Sequence, residues 1–334
     1  MLFRMSKYFL WLLVFLAILV LTLWGILALW YRTPFEGLFQ IGLCAAFGLT
    51  GLWAAMAPFL KNRLRAVIAF ALCFALLTAW WITLQPPSEG NWSPDVARQT
   101  TGQIVNDTLQ LSNVRNFRWH DDGSYEEKWE SQTYDLNMLA TTDLFLSYWA
   151  GPEMAHFVLS FGFTDGRYLA WSIEVRRQLN GGFSPVADAF KTNSLVILAA
   201  TELDVIALRT NVRKEDVRLF RLGTDPDVAR KLLEEYVRDA NQLAIEPQWY
   251  NSISTNCTTV VVKMLRAIGI GPSFDWRFIA NGYLPEYGYE HGSLNTDYTI
   301  EELRELGNVT SKGQAHGMKP EFSEAIRLGV PRSR

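Results

Sequence analysis

The hydrophobic pattern divides the chain into two unequal parts. Residues 9–30, 37–60 and 66–84 are three apolar runs with no charge inside any of them. Each approaches or exceeds the roughly 20 residues that a helix needs to cross the hydrocarbon layer of a bilayer. The first 84 residues are therefore predicted to form a three-helix membrane anchor. Ala28-Leu29-Trp30-Tyr31 is too bulky for a signal-peptide cleavage site, so the first run reads as a retained helix.

Beyond residue 84 the pattern changes to shorter, two-sided segments. Gln85-Pro86-Pro87-Ser88 and the Gly-Asn-Trp-Ser-Pro that ends at Pro94 read as a juxtamembrane linker. Residues 104–119 alternate in part and predict strand. Residues 136–149 carry an apolar stripe at Leu136, Leu139, Leu144 and Tyr148, which predicts a helix. Residues 156–163 and 168–176 are β-rich runs flanking Thr164-Asp165-Gly166-Arg167, a hairpin signal. Further strands are predicted at 194–201, 205–208 and 217–222. An amphipathic helix is predicted over 226–245, with Asp225 as cap and Pro226 at its first position. A second begins at Cys257, where Val260, Val261, Met264, Leu265 and Ile268 recur at helical spacing. Ser254 or Thr255 is its expected cap and Gly269 its stop. Residues 299–306 suggest a last short helix.

These elements define an α+β chain: three N-terminal transmembrane helices, then a domain with a small antiparallel sheet and a cysteine-led helix. The expected division is an anchor over 1–84, a linker and lead-in over 85–113, a folded domain over 114–310 and a mobile polar tail over 311–334.

Charge adds an orientation. Arg4 and Lys7 precede the first run, and Lys61, Arg63 and Arg65 fill the loop between the second and third. The other short loop pairs Arg32 with Glu36. Basic loops stay on the cytoplasmic side, so the N-terminus is expected in the cytoplasm of a bacterial inner membrane and everything after Gln85 in the periplasm. The part after residue 84 holds 25 basic and 33 acidic residues, a net charge of −8. That excess argues against nucleic acid as a partner.

Cysteine use then singles out one position. Cys44 and Cys73 lie within apolar runs, which leaves Cys257 without a disulfide partner in an oxidising compartment. At the start of a helix its sulfur meets the positive end of the dipole, which lowers a thiol's pKa. A thiol nucleophile needs a base beside it and a polar group to orient that base. His156 in the strand pattern is the candidate base. Glu174 is the favoured orienting group, with Asp204 as the alternative, and Arg176 with Glu202 or Asp204 is a candidate supporting pair. Asn256, adjoining the thiol, is a further supporting candidate. A two-residue Asp165-Gly166 turn would pair His156 with Val175 and turn Glu174 to the other face. A one-residue bulge would bring Glu174 level with His156. The remaining polar residues of 202–216 read mostly as a solvated loop. His120 has no second ligand at zinc-like spacing, and there is no glycine-rich phosphate loop, so neither metal nor cofactor is expected.

Several of these residues recur in one ordered set. Ala155-His156-Phe157-Val158-Leu159-Ser160-Phe161-Gly162-Phe163 is followed by Ser172-Ile173-Glu174-Val175-Arg176-Arg177. Then come Glu202-Leu203-Asp204, Leu208-Arg209-Thr210-Asn211, and Tyr250-Asn251 with Thr255-Asn256-Cys257-Thr258-Thr259. Over residues 114–285 the set resembles the Lnb N-terminal periplasmic domain family, which looks related to permuted NlpC-type, papain-like thiol enzymes. The resemblance implies a domain in which the histidine strand precedes the cysteine helix. It also implies lipoprotein N-acylation through a Cys257 thioester, with His156 as general base and Glu174 as orienting group. The partners it implies are a phospholipid acyl donor and a lipoprotein N-terminus. The same residues would serve a cysteine peptidase or amidase acting on cell-wall peptide, and a non-catalytic membrane scaffold is the alternative outside enzymes.

Overall fold

The computed structural model describes residues 2–333, with side chains described at Phe9 and from Trp11 onward. The side chains of Arg4 and Lys7, on which part of the expected orientation rests, lie outside the described residues. The chain forms two compact units, Met1–Pro86 with Ser184–Thr192, and Pro87–Phe183 with Asn193–Arg334.

The first unit contains α1 (Leu2–Arg32), α2 (Leu38–Ala55) and α3 (Arg63–Thr83). Trp11–Arg32, Leu38–Ala55 and Arg63–Thr83 are long and apolar enough to cross a membrane. The helices pack through Ile18, Leu29, Phe47, Phe70 and Leu77. Hydrophobic patterning gave no hint of the unit's fourth piece, a segment about 100 residues further along the chain. It holds α4 (Pro185–Asp188), capped by the Ser184 hydroxyl, which accepts from the Ala187 N–H. Beyond α4, the Phe190 ring stacks on Tyr31 at 5.8 Å. Lys191 Nζ donates to the Trp81 carbonyl at 2.7 Å.

The second unit is built on an eight-stranded sheet, larger than the small one expected. In chain order its strands are β1 (Thr101–Val105), β2 (Thr108–Arg115), β5 (Trp129–Asp135), β6 (Leu139–Tyr148), β7 (Ala155–Phe163), β8 (Tyr168–Arg176), β9 (Ser194–Ala200) and β10 (Asp216–Leu222). The short β3 (Arg118–Trp119) and β4 (Tyr125–Glu126) pair separately. The order across the sheet is β1-β2-β9-β8-β7-β6-β10, with β5 also on β2. Pairing is antiparallel except between β2 and β9. The α+β class with three apolar N-terminal helices holds.

Helices cover both faces of this sheet. On one, α6 (Pro226–Ile245) and α7 (Cys257–Ala267) pack Leu233, Tyr236, Val261 and Met264 against Leu159, Trp171 and Ile173. On the other, α5 (Glu202–Ala207), α10 (Thr310–His316) and α11 (Phe322–Ala325) bring Val205, Ile206, Phe322 and Ile326 onto Val158, Ala170 and Ala200. Two further helices, α8 (Leu284–Glu290) and α9 (Ile300–Leu306), follow α7 in the chain.

The two-sided burial explains where the sequence pattern misled. Residues 136–149 form β6, not a helix. Positions 142–147 are all buried, because β6 is an inner strand with both faces covered. Such a strand loses the alternation that identifies half-exposed ones. Residues 205–208 lie in α5 and the turn after it, not in a strand. Thr201 caps α5 by accepting from the Asp204 N–H, and Glu202 and Asp204 occupy its first turn, both favourable at a helix N-terminus.

Two expected boundaries also move. Residues 101–105 and 108–113, expected to lie in the linker and lead-in, are sheet. The expected mobile tail is folded, with Phe322 and Ile326 fully buried and Arg327 paired to Asp143 and Glu202. Its polar sequence hid these contacts because the few apolar side chains among them, such as Phe322, Ile326 and Val330, are spread among polar ones.

Candidate active site

The hairpin β7–β8 sets the register that the sequence left open. Phe163 N–H donates to the Arg167 carbonyl, and Gly166 sits in the turn with φ 85°. A positive φ is a conformation glycine adopts without steric cost. The resulting three-residue loop pairs Val158 with Ser172 and Ser160 with Ala170. Continued two residues past the last pair, this register places Glu174 across from His156, as a bulged turn requires. Their side chains meet, His156 Nε2 lying 3.1 Å from Glu174 Oε1.

Beyond Val158 the β7–β8 ladder opens, although β7 stays paired to β6 as far as Ala155. The backbone groups freed on the β8 side find other partners. Asn281 Oδ1 accepts from the Ala155 N–H at 2.8 Å, and its Nδ2 donates to the Ala155 carbonyl at 2.7 Å. The Phe157 N–H is directed at the Cys257 sulfur. The thiol thus occupies the gap between two parting strands, and the same gap brings it beside His156, which holds its pKa down. Nε2 of the imidazole is occupied by Glu174 and by Ser172 Oγ at 2.7 Å, so Nδ1 is the nitrogen left for the thiol.

The cysteine is presented by a tightly bonded loop. Asn251 and Thr255 exchange backbone hydrogen bonds, and Asn251 Oδ1 accepts from the Ile253 and Ser254 N–H groups. The helix cap is Asn256, in place of Ser254 or Thr255. Its Oδ1 accepts from the Thr258 and Thr259 N–H groups at 2.9 Å, while Thr259 Oγ1 accepts from the Asn256 N–H. This reciprocal box pins the first turn of α7. It also occupies two of the N–H groups of the first turn. The Cys257 N–H has no hydrogen-bond partner among the described residues, which makes it the first-turn donor available to a developing oxyanion.

Charge is arranged in a line from Cys257 through His156 and Glu174 to Arg209. Burial pushes the Cys257 thiol up, but the hydrogen bond and charge of His156, the Phe157 N–H and the Thr258 side chain outweigh it. The thiol therefore ionises below its ordinary value. Burial lowers His156, yet Glu174 raises it by more than Arg209 opposes, and the imidazole ends above its ordinary value. Glu174 is driven well below the usual carboxylate range, against burial, by His156 and Arg209. Ser172 Oγ donates to Glu174 Oε1 at 2.7 Å, and Arg209 Nη2 reaches the same oxygen at 3.0 Å.

The other expected supports have different duties. Asp204 lies away from the imidazole, fully buried. It accepts from Arg115 Nε and Nη2, the Phe117 N–H and the Trp119 indole, and so anchors β2 and β3 to α5. Glu202 pairs with Arg327 and accepts from Ser160. Arg176 donates to the Val96 and Ala97 carbonyls and lies over Trp92. The expected Arg176–carboxylate pair is therefore replaced by Arg209–Glu174. Glu202, Asp204, Arg209 and Thr210, polar residues of the stretch read mostly as a solvated loop, are buried. Arg209 sits on a π-helical turn, Leu208–Val212, and is held there by a bond from Nη1 to the Val205 carbonyl.

Ser172 and Asn281 carried no signal that sequence reasoning used. Ser172 is one polar residue in a strand. Asn281 comes from an irregular turn, where Gly282 approaches the chain before β7 so closely that a Cβ would lie 2.0 Å from the Pro152 carbonyl oxygen. Besides its bonds to Ala155, Asn281 Nδ2 donates to Thr258 Oγ1 at 3.0 Å and lies 3.7 Å from Cys257 Sγ.

His156, Glu174 and Cys257 line one cavity of about 470 Å³. Its walls are apolar at Trp149, Met154, Phe183 and Ile279, and elsewhere charged, with Arg177, Arg209 and Arg213 paired to Asp95, Glu174 and Glu215. A thiol poised to ionise, an imidazole beside it and one free helix N–H together can attack a carbonyl, move the proton and hold the oxyanion.

Residues 125–282 match the family model described as the Lnb N-terminal periplasmic domain, the family that the motifs resemble. No curated protein and no solved structure matches the chain. The matched segment contains every residue of the Cys257–His156–Glu174–Arg209 line. With three helices long and apolar enough to cross a bilayer, the match describes a membrane protein with a periplasmic domain.

Proposed function

We propose that this membrane protein, whose residues 125–282 match the Lnb N-terminal periplasmic domain, is a thiol acyltransferase that N-acylates lipoproteins with a phospholipid as donor. The observation that carries the reading is the Cys257–His156–Glu174 line at the wall of a cavity that is part apolar and part charged. A phospholipid ester matches the apolar part of that wall, its hydrocarbon against Trp149, Met154 and Phe183, while Arg177 and Arg213 at the same wall are already paired with Asp95 and Glu215. The order of histidine strand before cysteine helix supports relationship to the permuted papain-like enzymes. The basic Lys61–Arg63–Arg65 loop supports an inner-membrane protein with a cytoplasmic N-terminus.

The reaction has two halves. The Cys257 thiolate attacks the ester carbonyl, and the Cys257 N–H stabilises the oxyanion. Imidazolium His156 gives its proton to the departing lysophospholipid oxygen, leaving an acyl thioester and a neutral imidazole. The lipoprotein amine then attacks the thioester, and His156 accepts the proton the nitrogen loses. Collapse gives an amide and restores the Cys257 thiolate beside imidazolium His156. Glu174 and Ser172 hold the ring through Nε2 in both halves, so that Nδ1 faces the sulfur.

Incubating the purified full chain with phospholipid vesicles and a diacylglyceryl lipopeptide tests this directly. Mass spectrometry is expected to show the N-acylated lipopeptide with the full chain and none with Cys257→Ala. Cleavage of wall peptide without acyl transfer would assign the same residues to a peptidase or amidase. Neither activity would leave the scaffold reading.

A further inference from the structure

A second cavity lies against the first. About 560 Å³ of groove is bounded by α6, α7 and the segment after α7, with Leu243, Ile253, Val260, Phe274, Phe278 and Ile279 among its walls. Ile279 lines both cavities. Thr255 and Val260, on this side, flank the Asn256-Cys257 pair that lines the other. The groove therefore begins within a few residues of the thiol, on the far side of the loop that presents it.

Its rim is unusual for a domain surface in water. Ile253 is 63 % and Phe274 75 % exposed, and Ile279 is exposed between the two cavities. Trp276, two residues from Phe274, is exposed as well. Large apolar side chains gathered at one groove mark a surface that meets an apolar partner, and an exposed indole suits the boundary between hydrocarbon and water. Lys263 and Arg266 stand at the same groove, Lys263 3.8 Å from Asp239, in the part of the chain after residue 84, which is acidic overall. The cation of Arg266 beside apolar side chains suits a lipid headgroup above its acyl chains. A wall peptide, with its carboxylates and ammonium groups, would leave this apolar surface uncovered.

We infer that the groove lined by Ile253, Val260, Phe274 and Ile279 holds a fatty acyl chain of a bilayer lipid while its ester carbonyl reaches Cys257. This rests on the acyl-transfer reading and adds to it where the chain lies and why the donor is long-chained. The carbonyl end enters the Cys257–His156 cavity past Ile279, and the tail runs over α7.

Two measurements on the detergent-solubilised full chain test it. The first compares acylation of Cys257 by p-nitrophenyl palmitate and p-nitrophenyl butyrate in mixed micelles. Phe274→Ala and Ile253→Ala remove exposed side chains, and each is expected to lower the palmitate-to-butyrate rate ratio by about tenfold or more, the scale on which apolar pockets discriminate. The second uses a phosphatidylcholine bearing a diazirine at the end of one acyl chain, with the Cys257→Ala chain in phosphatidylcholine vesicles. Photolabel is expected on peptides spanning residues 253–279. An unchanged rate ratio, or label confined to α1–α3, overturns the groove. If the wild-type thiol takes up neither ester, the acyl-transfer reading fails, and the photolabel still decides the lipid site on its own.

Discussion

Two opposed effects meet at Cys257, and their balance decides whether the sulfur is a reagent or a filler of space. A thiol as buried as this one is ordinarily inert, because an apolar setting disfavours the thiolate. Here the imidazole, the Phe157 N–H and the Thr258 side chain reverse that preference. The sign is testable. A lowered pKa means that thiolate accumulates at lower pH than the usual value of about 8.5. The rate of iodoacetamide alkylation of Cys257 is therefore expected to rise through a midpoint below that value. In His156→Ala the opposing burial remains and the chief lowering influence is gone, so the midpoint should move upward. An unshifted profile in the variant would show that His156 does not govern the thiol. Glu174 acts through the ring: it raises His156 and is itself held low. Its contribution to stability is thus present above the unfolded carboxyl pKa of about 4.3 and fades as pH falls through the lower folded value. The raised His156 contributes fully below about 6.5 and loses its contribution as pH rises through its higher folded value.

At the scale of elements, one helix start and one parting of strands make the site. Asn256 satisfies two N–H groups of α7, and losing such a cap costs about 1 kcal/mol. Asn256→Ala is expected to lower the melting temperature by roughly 2–4 °C and to slow Cys257 alkylation at neutral pH, since the first turn that aims the sulfur loosens. Unchanged values of both would remove Asn256 from the account. The cysteine helix and the histidine hairpin were legible because each carries a local signal: helical spacing after Cys257, and Asp-Gly between β-rich runs. Glu174 was legible only as one of two registers, since a hairpin's loop geometry and not its strands sets which face a residue takes. The β6 strand was misread because an inner strand buried on both faces has no two-residue period. Asp204 and Arg209 were separated wrongly for a related reason. Both lie in one polar stretch, and nothing local shows that the first turns toward Arg115 and the second toward Glu174. Asn281 was invisible because its role depends on an opened ladder, a feature of three elements together.

At the scale of the molecule, residues far apart in sequence close the sheet unit, and the C-terminal segment is part of it. Arg327 neutralises Asp143 and Glu202, all three nearly inaccessible to water. Deleting residues 317–334 would strip buried Glu202 of its cationic partner and leave buried Asp143 only Arg221, and breaking a buried pair costs about 3–5 kcal/mol. The truncated chain is expected to be cleaved by protease under conditions that leave the full chain intact, and equal resistance would mean the segment is dispensable. The apolar helices and the thiol unit are joined in one chain, and on the proposed reading the reaction is confined to lipids and lipid-bearing substrates of the same membrane. The most direct test of that account is the mass of the Cys257 peptide after the full chain is incubated in phospholipid vesicles. The account predicts a fatty acyl adduct on Cys257 that neutral hydroxylamine removes, formed about 10²–10⁴-fold more slowly in His156→Ala. An unmodified Cys257, or an adduct that forms equally fast without His156, would contradict it.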